Sequence, residues 1–457
     1  MEPTTFYLQS LGCPKNRVDS EVILGSLMNA GYKPVEEPLA ARLIVVNTCA
    51  FIRSATEESI ETILELAQAK KLGQCELLVV AGCLPQRYGR KLVSSMPEVD
   101  LFVGTSSFIH LAHILARSEK NELKKLNLEP PRFLMTAKTP RTLSAPFYSA
   151  YLKVAEGCSN RCSFCTIPGI RGPYRSRSLT DVLQEAEWLA SQGVIELNLV
   201  AQDTTAYGTD LVAASRLPDL LEGLAKIGSF RWIRVLYGYP QKIDDKLLET
   251  MASYESICKY LDLPLQHVSG HLLEAMGRRG SAEEFLKLIA KIREYLPEAT
   301  LRTTFIVGFP GERQEDFQEL YEFVEQAKFQ RLGLFAYSPE KGTRAALFTD
   351  PVDKMATIQR VQALAALQEK ISLDYNSRLV GTAQPVLIEG ASDESDLLLQ
   401  ARLASQAPEV DGCVLINKGF GQVGEIVAAR ITEAHPYDLI GEIAESPNTP
   451  SNMVMRK

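Results

Sequence analysis

The sequence predicts a multidomain α/β protein: an N-terminal open parallel sheet, a central partial barrel of six βα units, and a small C-terminal β-barrel. Three observations carry this. Short apolar, β-branched runs alternate with amphipathic helical stretches over most of the chain. A stretch at 117–145, rich in Pro and Lys/Arg, interrupts that alternation once. Beyond residue 379 helical periodicity gives way to short alternating runs separated by Gly and acidic clusters. The length of 457 residues matches about three domains. With 46% hydrophobic and 23% charged residues and a net charge of −7, the chain has the balance of a folded globular protein and not of a disordered one.

In the N-terminal region, 1–116, strands are expected at 6–11, 43–46 and 77–80, with helices at 18–28 and 57–67 between them. After the linker at 117–145, the region 146–378 offers strands at 151–155, 197–201, 233–237, 260–265, 301–307 and 332–337. Chemistry in such a barrel belongs at the C-terminal ends of the strands. A long helical pattern at 354–379 closes it. The module 379–443 reads as a β-barrel from runs at 385–388, 397–403, 413–416 and 424–431, and a loose tail is expected at 444–457. No apolar run approaches the ~18 residues of a membrane span, and Lys15, Arg17, Asp19 and Glu21 occupy the place of a signal peptide's apolar core. The expectation is a cytoplasmic protein without membrane contact, whose nine cysteines serve metal binding, catalysis or burial rather than disulfides.

Six of those cysteines are placed systematically. Cys158, Cys162 and Cys165 form a C-x3-C-x2-C group just after the first strand of the central region, where a barrel keeps its chemistry. Three thiolates on a cuboidal iron–sulfur cluster leave one iron open, whereas a zinc knuckle needs a fourth ligand from elsewhere. Cys13, Cys49 and Cys83 are far apart in sequence, yet each follows one of the three N-terminal strands. In a parallel sheet that places three thiols along one edge, a second three-thiolate site. Gly12 and Gly82 fit turns that bring backbone close to a cofactor; burial alone is the bland alternative for all three cysteines. Cys75, Cys258 and Cys413 have no such placement and read as packing residues.

The loop from Gly157 to Cys165, with Phe164 before the last cysteine, resembles the signature of the radical S-adenosylmethionine (SAM) superfamily. That resemblance implies a four-iron four-sulfur (4Fe-4S) cluster whose open iron binds SAM, and a catalytic role for Cys158, Cys162 and Cys165. Reductive cleavage of SAM then yields a deoxyadenosyl radical. The two cysteine groups together resemble the methylthiotransferases, with an N-terminal cluster domain, a TIM-like radical SAM barrel and a C-terminal TRAM β-barrel. By that resemblance Cys13, Cys49 and Cys83 hold an auxiliary 4Fe-4S cluster that delivers sulfur. Within the family, the stretches YLKVAEGC from Tyr151, IRGPYRSR from Ile170, AQDTTAYG from Ala201 and YLDLPLQH from Tyr260 resemble RimO-type members. Those modify an aspartate of small-subunit ribosomal protein S-twelve and take electrons from a reductant protein. The tRNA-modifying MiaB-type members are the runner-up, and a non-catalytic metal-bearing scaffold that binds the ribosome is the alternative from another class.

The superfamily resemblance further implies SAM contacts from Phe164, Gln202, Ile306 and Gly308. The TTFIVGFPGE stretch departs from the family pattern in Thr304 and in the late position of Glu312, and Gln202 and Asp203 stand where many members place Gly-Gly-Glu. Arg161, Arg171, Arg175 and Arg177 are read either as surface charge or as contacts to the SAM carboxylate or an acidic substrate. His267 and His271 have metal-pair spacing, but no carboxylate completes a motif, and they read as packing or capping residues. Residues 379–443 hold three basic and ten acidic side chains, so this module carries the chain's whole net charge. Such a surface lacks the cations that bind phosphate and suits a basic protein substrate over nucleic acid. Nothing in the sequence calls for more than a monomer.

Overall fold

The computed structural model describes residues 4–118, 124–144, 146–212, 215–393 and 395–443. Six strands, β1 (Thr5–Ser10), β2 (Lys33–Pro34), β3 (Leu43–Thr48), β4 (Leu77–Gly82), β5 (Leu101–Val103) and β6 (Leu126–Asn127), form a parallel sheet in the order β2-β1-β3-β4-β5-β6. The central strand β3, LIVVNT, is buried throughout, as expected where helices cover both faces. The helices Pro14–Asn29 and Arg53–Leu72 connect the strands that carry the chemistry. Strands β2 and β6 hold two residues each, too short to leave a periodic signature.

The segment 117–145, read as a linker, does more than connect. It supplies β6, and Arg141 is clamped between Glu21 of the helix Pro14–Asn29 (Nη2 to Oε2 2.6 Å) and Glu185 of the next domain (Nη1 to Oε1 2.5 Å).

The central domain pairs β7 (Ser149–Lys153), β10 (Glu196–Val200), β11 (Trp232–Val235), β12 (Ile257–Asp262), β13 (Thr300–Val307) and β14 (Arg331–Ala336) in that spatial order, all parallel. Strands β7 and β14 are its two edges, so the barrel is partial. A short antiparallel pair, β8 (Ala155–Glu156) and β9 (Arg175–Ser176), flanks the loop that holds Cys158, Cys162 and Cys165. The helix Lys354–Ser377 packs on β13 and β14.

The C-terminal module is a closed barrel of β15 (Ala383–Ser392), β16 (Ser395–Leu403), β17 (Val414–Lys418), β18 (Ile426–Ala434) and β19 (Leu439–Ile443). Strand β19 lies beyond the four runs read from the sequence. Buried Arg402 bonds Glu196 of β10 (Nη2 to Oε2 2.7 Å), Glu409 meets Arg17, and Asp411 accepts from Tyr260 (2.7 Å) and faces Arg302 (3.5 Å). Part of the module's acidity is therefore spent on docking to the other two domains. The tail at 444–457 lies outside the described residues.

Candidate active site: two cysteine triads

Cys13 stands at the N-terminus of the helix Pro14–Asn29, Cys49 follows β3, and Cys83 opens the helix Cys83–Tyr88 directly after β4. Because β1, β3 and β4 are parallel neighbours, their C-terminal ends deliver the three residues to one edge. Packing there is close. A Cβ built on Gly12, which has φ of +89°, would lie 2.5 Å from Cys49 Cβ, so only glycine fits. Ser59 fastens Cys49, its hydroxyl accepting from the Cys49 amide (3.2 Å) and donating to the Cys49 carbonyl (2.7 Å).

Cys158, Cys162 and Cys165 lie on the loop after β8, at the C-terminal end of β7. Two backbone bonds tie Ser163 across the barrel mouth, from its amide to the Met276 carbonyl (2.8 Å) and from the Ala345 amide to its carbonyl (2.9 Å). Asn160 donates to Asp203 (2.9 Å), which also takes Lys242 (2.6 Å).

Burial raises the thiols of Cys49 and Cys83 in the sheet-borne triad and of Cys158, Cys162 and Cys165 in the loop triad. Burial pushes Cys49 up to about 12, with the charges of Cys83 and Cys13 adding to it, and pushes Cys165 up to about 12, with Cys162 and Cys158 adding. Three mutually repelling thiolates in a desolvated site are stabilised when cationic iron takes the thiolate form. Among the described residues no three His, Cys, Asp or Glu side chains converge on a point that one ion could occupy. Three cysteine thiols are the donor set of an iron–sulfur cluster that keeps one iron open.

A buried polar network joins the two triads. Arg171, 3% exposed, reaches Cys83 Sγ with Nη2 (3.4 Å), Asn16 Oδ1 (3.1 Å), Asp19 Oδ2 (2.5 Å) and Glu156 Oε2 (3.5 Å). Lys153 bridges Asp19 and Glu156, the latter at 2.8 Å. Glu156, two residues before Cys158, also accepts from Gln202 Nε2 (2.9 Å). Burial alone would raise the Glu156 carboxyl, but Lys153 and Arg171 outweigh it and hold the group at about 2. Asn16, Asp19, Lys153 and Glu156 were not singled out from the sequence. The one signal for Asn16 and Asp19 is the polar content of PKNRVDSE, a helix start whose Lys15, Asn16, Asp19, Ser20 and Glu21 are all buried.

The remaining sequence-derived residues fall as follows. Phe164 and Ile306 pack on one apolar cluster with Leu272, Met276 and Phe309. Gln202 Oε1 is buried and without a hydrogen-bond partner among the described residues, while its Nε2 donates to Glu156 before the cysteine loop. The Gly308 amide donates to Glu312 (2.5 Å), and a Cβ there would meet Thr357 Cγ2 at 2.6 Å, so its immediate work is a tight turn. Arg171 and Arg177 are not surface charges: Arg171 belongs to the network above, and Arg177 pairs with Asp181 (2.7 Å) and Glu185. Arg175 bonds the carbonyls of Pro173 (2.7 Å) and Arg171 (3.2 Å), and Arg161 is exposed. His267 is fully buried and accepts from the Ser269 amide (3.0 Å). Cys75 and Cys258 are buried and Cys413 is half-buried.

Comparison with known proteins agrees with this construction. Residues 152–324 match the radical SAM superfamily, residues 5–104 the family described as "Uncharacterized protein family UPF0004", and residues 380–444 the TRAM domain. The radical S-adenosylmethionine methyltransferase TsrM from Kitasatospora setae, solved with cobalamin and a [4Fe-4S] cluster, shares the fold at a TM-score of 0.56 and 15% identity, over 84% of this chain and 81% of that one. The chain is a radical SAM enzyme. It is 49% identical over 95% of its length to the ribosomal protein uS12 methylthiotransferase RimO of Geotalea uraniireducens (strain Rf4), covering 97% of that protein. It is 48% identical over 98% of its length to the RimO of Myxococcus xanthus (strain DK1622), covering 93% of that one. The chain belongs to this family, the ribosomal protein uS12 methylthiotransferases.

Proposed function

We propose that this chain replaces a hydrogen on the β-carbon of an aspartate in ribosomal protein uS12 with a methylthio group. The observation that carries the reading is the pair of cysteine triads, each at the C-terminal ends of parallel strands and joined by one buried network through Arg171. Cys158, Cys162 and Cys165 would hold the SAM-cleaving 4Fe-4S cluster, and Cys13, Cys49 and Cys83 the auxiliary one. When bound, the first supplies the electron that cleaves SAM to a radical able to attack an unactivated carbon–hydrogen bond, and the second supplies sulfur. Phe164 and Ile306 offer the apolar wall for SAM, and Gln202 Oε1 a polar contact. Ser163, anchored to Met276 and Ala345, fixes the cysteine loop across the barrel mouth.

The substrate side of the reading rests on charge and on kinship. Asp393, Glu425 and Glu433 of the C-terminal barrel are exposed, and an acidic module steers basic ribosomal protein in preference to tRNA. The enzyme works as a cytoplasmic monomer that receives electrons from a reductant protein.

The test is mass spectrometry on anaerobically reconstituted enzyme given SAM, reductant and sulfide, with uS12 and tRNA offered together. A methylthio mass gain on an aspartyl peptide with unchanged tRNA nucleosides is expected. A gain confined to tRNA adenosine overturns the substrate assignment, and absence of SAM cleavage overturns the chemistry.

A further inference from the structure

Three buried basic side chains lie close in sequence to the two triads, and two of them are paired with carboxylates. Arg171 and Lys153 share Asp19 and Glu156. The third, Lys15, two residues after Cys13, is only 8% exposed and forms neither an ion pair nor a hydrogen bond among the described residues. Its Nζ lies 3.3 Å from the centroid of the Tyr237 ring, an attraction weaker than the carboxylate pairing a desolvated ammonium calls for. Burial lowers its basicity, and Cys13, Arg171, Asp262 and Glu156 are the ionisable groups whose charges act on it.

Both nearby carboxylates are already engaged. Asp262 accepts from the Tyr237 amide (3.0 Å) and pairs with Arg302 (3.1 Å). Glu156 accepts from Lys153 (2.8 Å), Gln202 (2.9 Å) and the Gly157 amide (3.2 Å). Tyr237 is held under the ammonium in an unusual backbone conformation, with φ of +61°, at the C-terminal end of β11. The position is therefore a buried lysine that pairs with no carboxylate among the described residues, two residues after Cys13 and over a tyrosine that follows the end of β11.

We propose that Lys15 is the anchor for the substrate's aspartyl carboxylate. This rests on the functional reading above and deepens it: one ion pair between Lys15 Nζ and the carboxylate would complete the pairing of the buried ammonium. It would also hold the adjacent β-carbon between the two triads. Lys15 acts by binding, and selects an aspartate over its uncharged isostere.

The experiment measures binding of fluorescent uS12 peptides, carrying either the native aspartate or asparagine in its place, to the anaerobically reconstituted holoenzyme with SAM present. The wild-type chain is expected to prefer the aspartyl peptide by at least about tenfold. Lys15→Met is expected to remove that preference by weakening the aspartyl peptide alone, and Lys15→Arg to retain it. Where Lys15→Met does not fold, as judged by thermal unfolding and iron content, Lys15→Gln takes its place. Equal weakening of both peptides would mean that Lys15 only supports the fold, and an unaltered preference would mean that another group reads the carboxylate; either overturns the inference while leaving the function intact. A wild-type enzyme that cleaves SAM but methylthiolates no aspartyl peptide overturns the functional reading, and this one with it.

Discussion

The two triads reach similar donor sets by opposite routes. Cys158, Cys162 and Cys165 sit on a single loop, so their proximity is written into a short spacing and needs little more than a turn and the anchoring of Ser163. Cys13, Cys49 and Cys83 come from three strands, and meet only because β1, β3 and β4 are parallel neighbours whose ends align. A local site depends on its loop, whereas a sheet-borne site depends on register, on close backbone packing and on charges contributed from another domain. The two should therefore fail differently.

The sharpest separation comes from single cysteines. Cys162→Ala is expected to abolish SAM cleavage, followed as deoxyadenosine release, whereas Cys49→Ala should keep cleavage and lose sulfur transfer. Normal cleavage by both variants would break the division of labour.

Next comes the cation that joins the triads. Arg171→Met strips a partner from the buried Asp19 and Glu156, and breaking such a pair typically costs about 3–5 kcal/mol. Guanidinium denaturation measures this, and iron analysis should show the auxiliary triad losing metal first. A loss under about 1 kcal/mol would mean that Lys153 alone balances both carboxylates.

Acid should distinguish the regions by pH window. Burial holds His267 down to about 4, against 6.5 for the free imidazole. The unfolded chain therefore takes up a proton between these values that the native state refuses, so stability present above about pH 6.5 is lost progressively toward pH 4, by up to about 3 kcal/mol. His267→Gln should flatten that slope. Glu156 acts later: its carboxyl is held at about 2, so its contribution persists above about pH 4.5 and disappears as pH falls through 2. Denaturation curves recorded between pH 7 and 3 test both signs.

The smallest expected effect is at Gly82, where φ is +94° and an added Cβ would press on Asn47 Oδ1 and lie 2.9 Å from the Thr48 carbonyl. Gly82→Ala should cost about 1–3 kcal/mol and reduce iron at the auxiliary triad while sparing the loop triad. Equal iron loss at both would deny the independence of the two sites.

Much of this was legible beforehand for identifiable reasons. β3 and β4 are long β-branched runs, and the six βα units of the central domain carry a clear alternation of periods. The loop triad is a spacing, and the sheet triad was readable because each cysteine closes an apolar run. The strands β2 and β6 were not legible, being two residues long, nor was β19, which falls among Gly and acidic residues. Arg171 and Arg177 read either as surface charge or as contacts to SAM or an acidic substrate, because no sequence pattern tells such arginines from ones paired with Asp19 or Glu185. The same holds for Glu409 and Asp411, whose charges face Arg17 and Arg302 in other domains.

By itself the sequence determined the alternation of strands and helices, the division into an open sheet, a partial barrel and a small closed barrel, and the six cysteines. Each is a matter of local periodicity or spacing, which chain connectivity preserves. Only the tertiary structure decided which charges neutralise one another, that Arg171 reaches from one domain to a cysteine of another, and that Lys15 lies over the Tyr237 ring with no carboxylate partner among the described residues. Burial removes water as the alternative partner, so the state of each ionic group depends on residues distant in sequence that folding brings within a few ångströms.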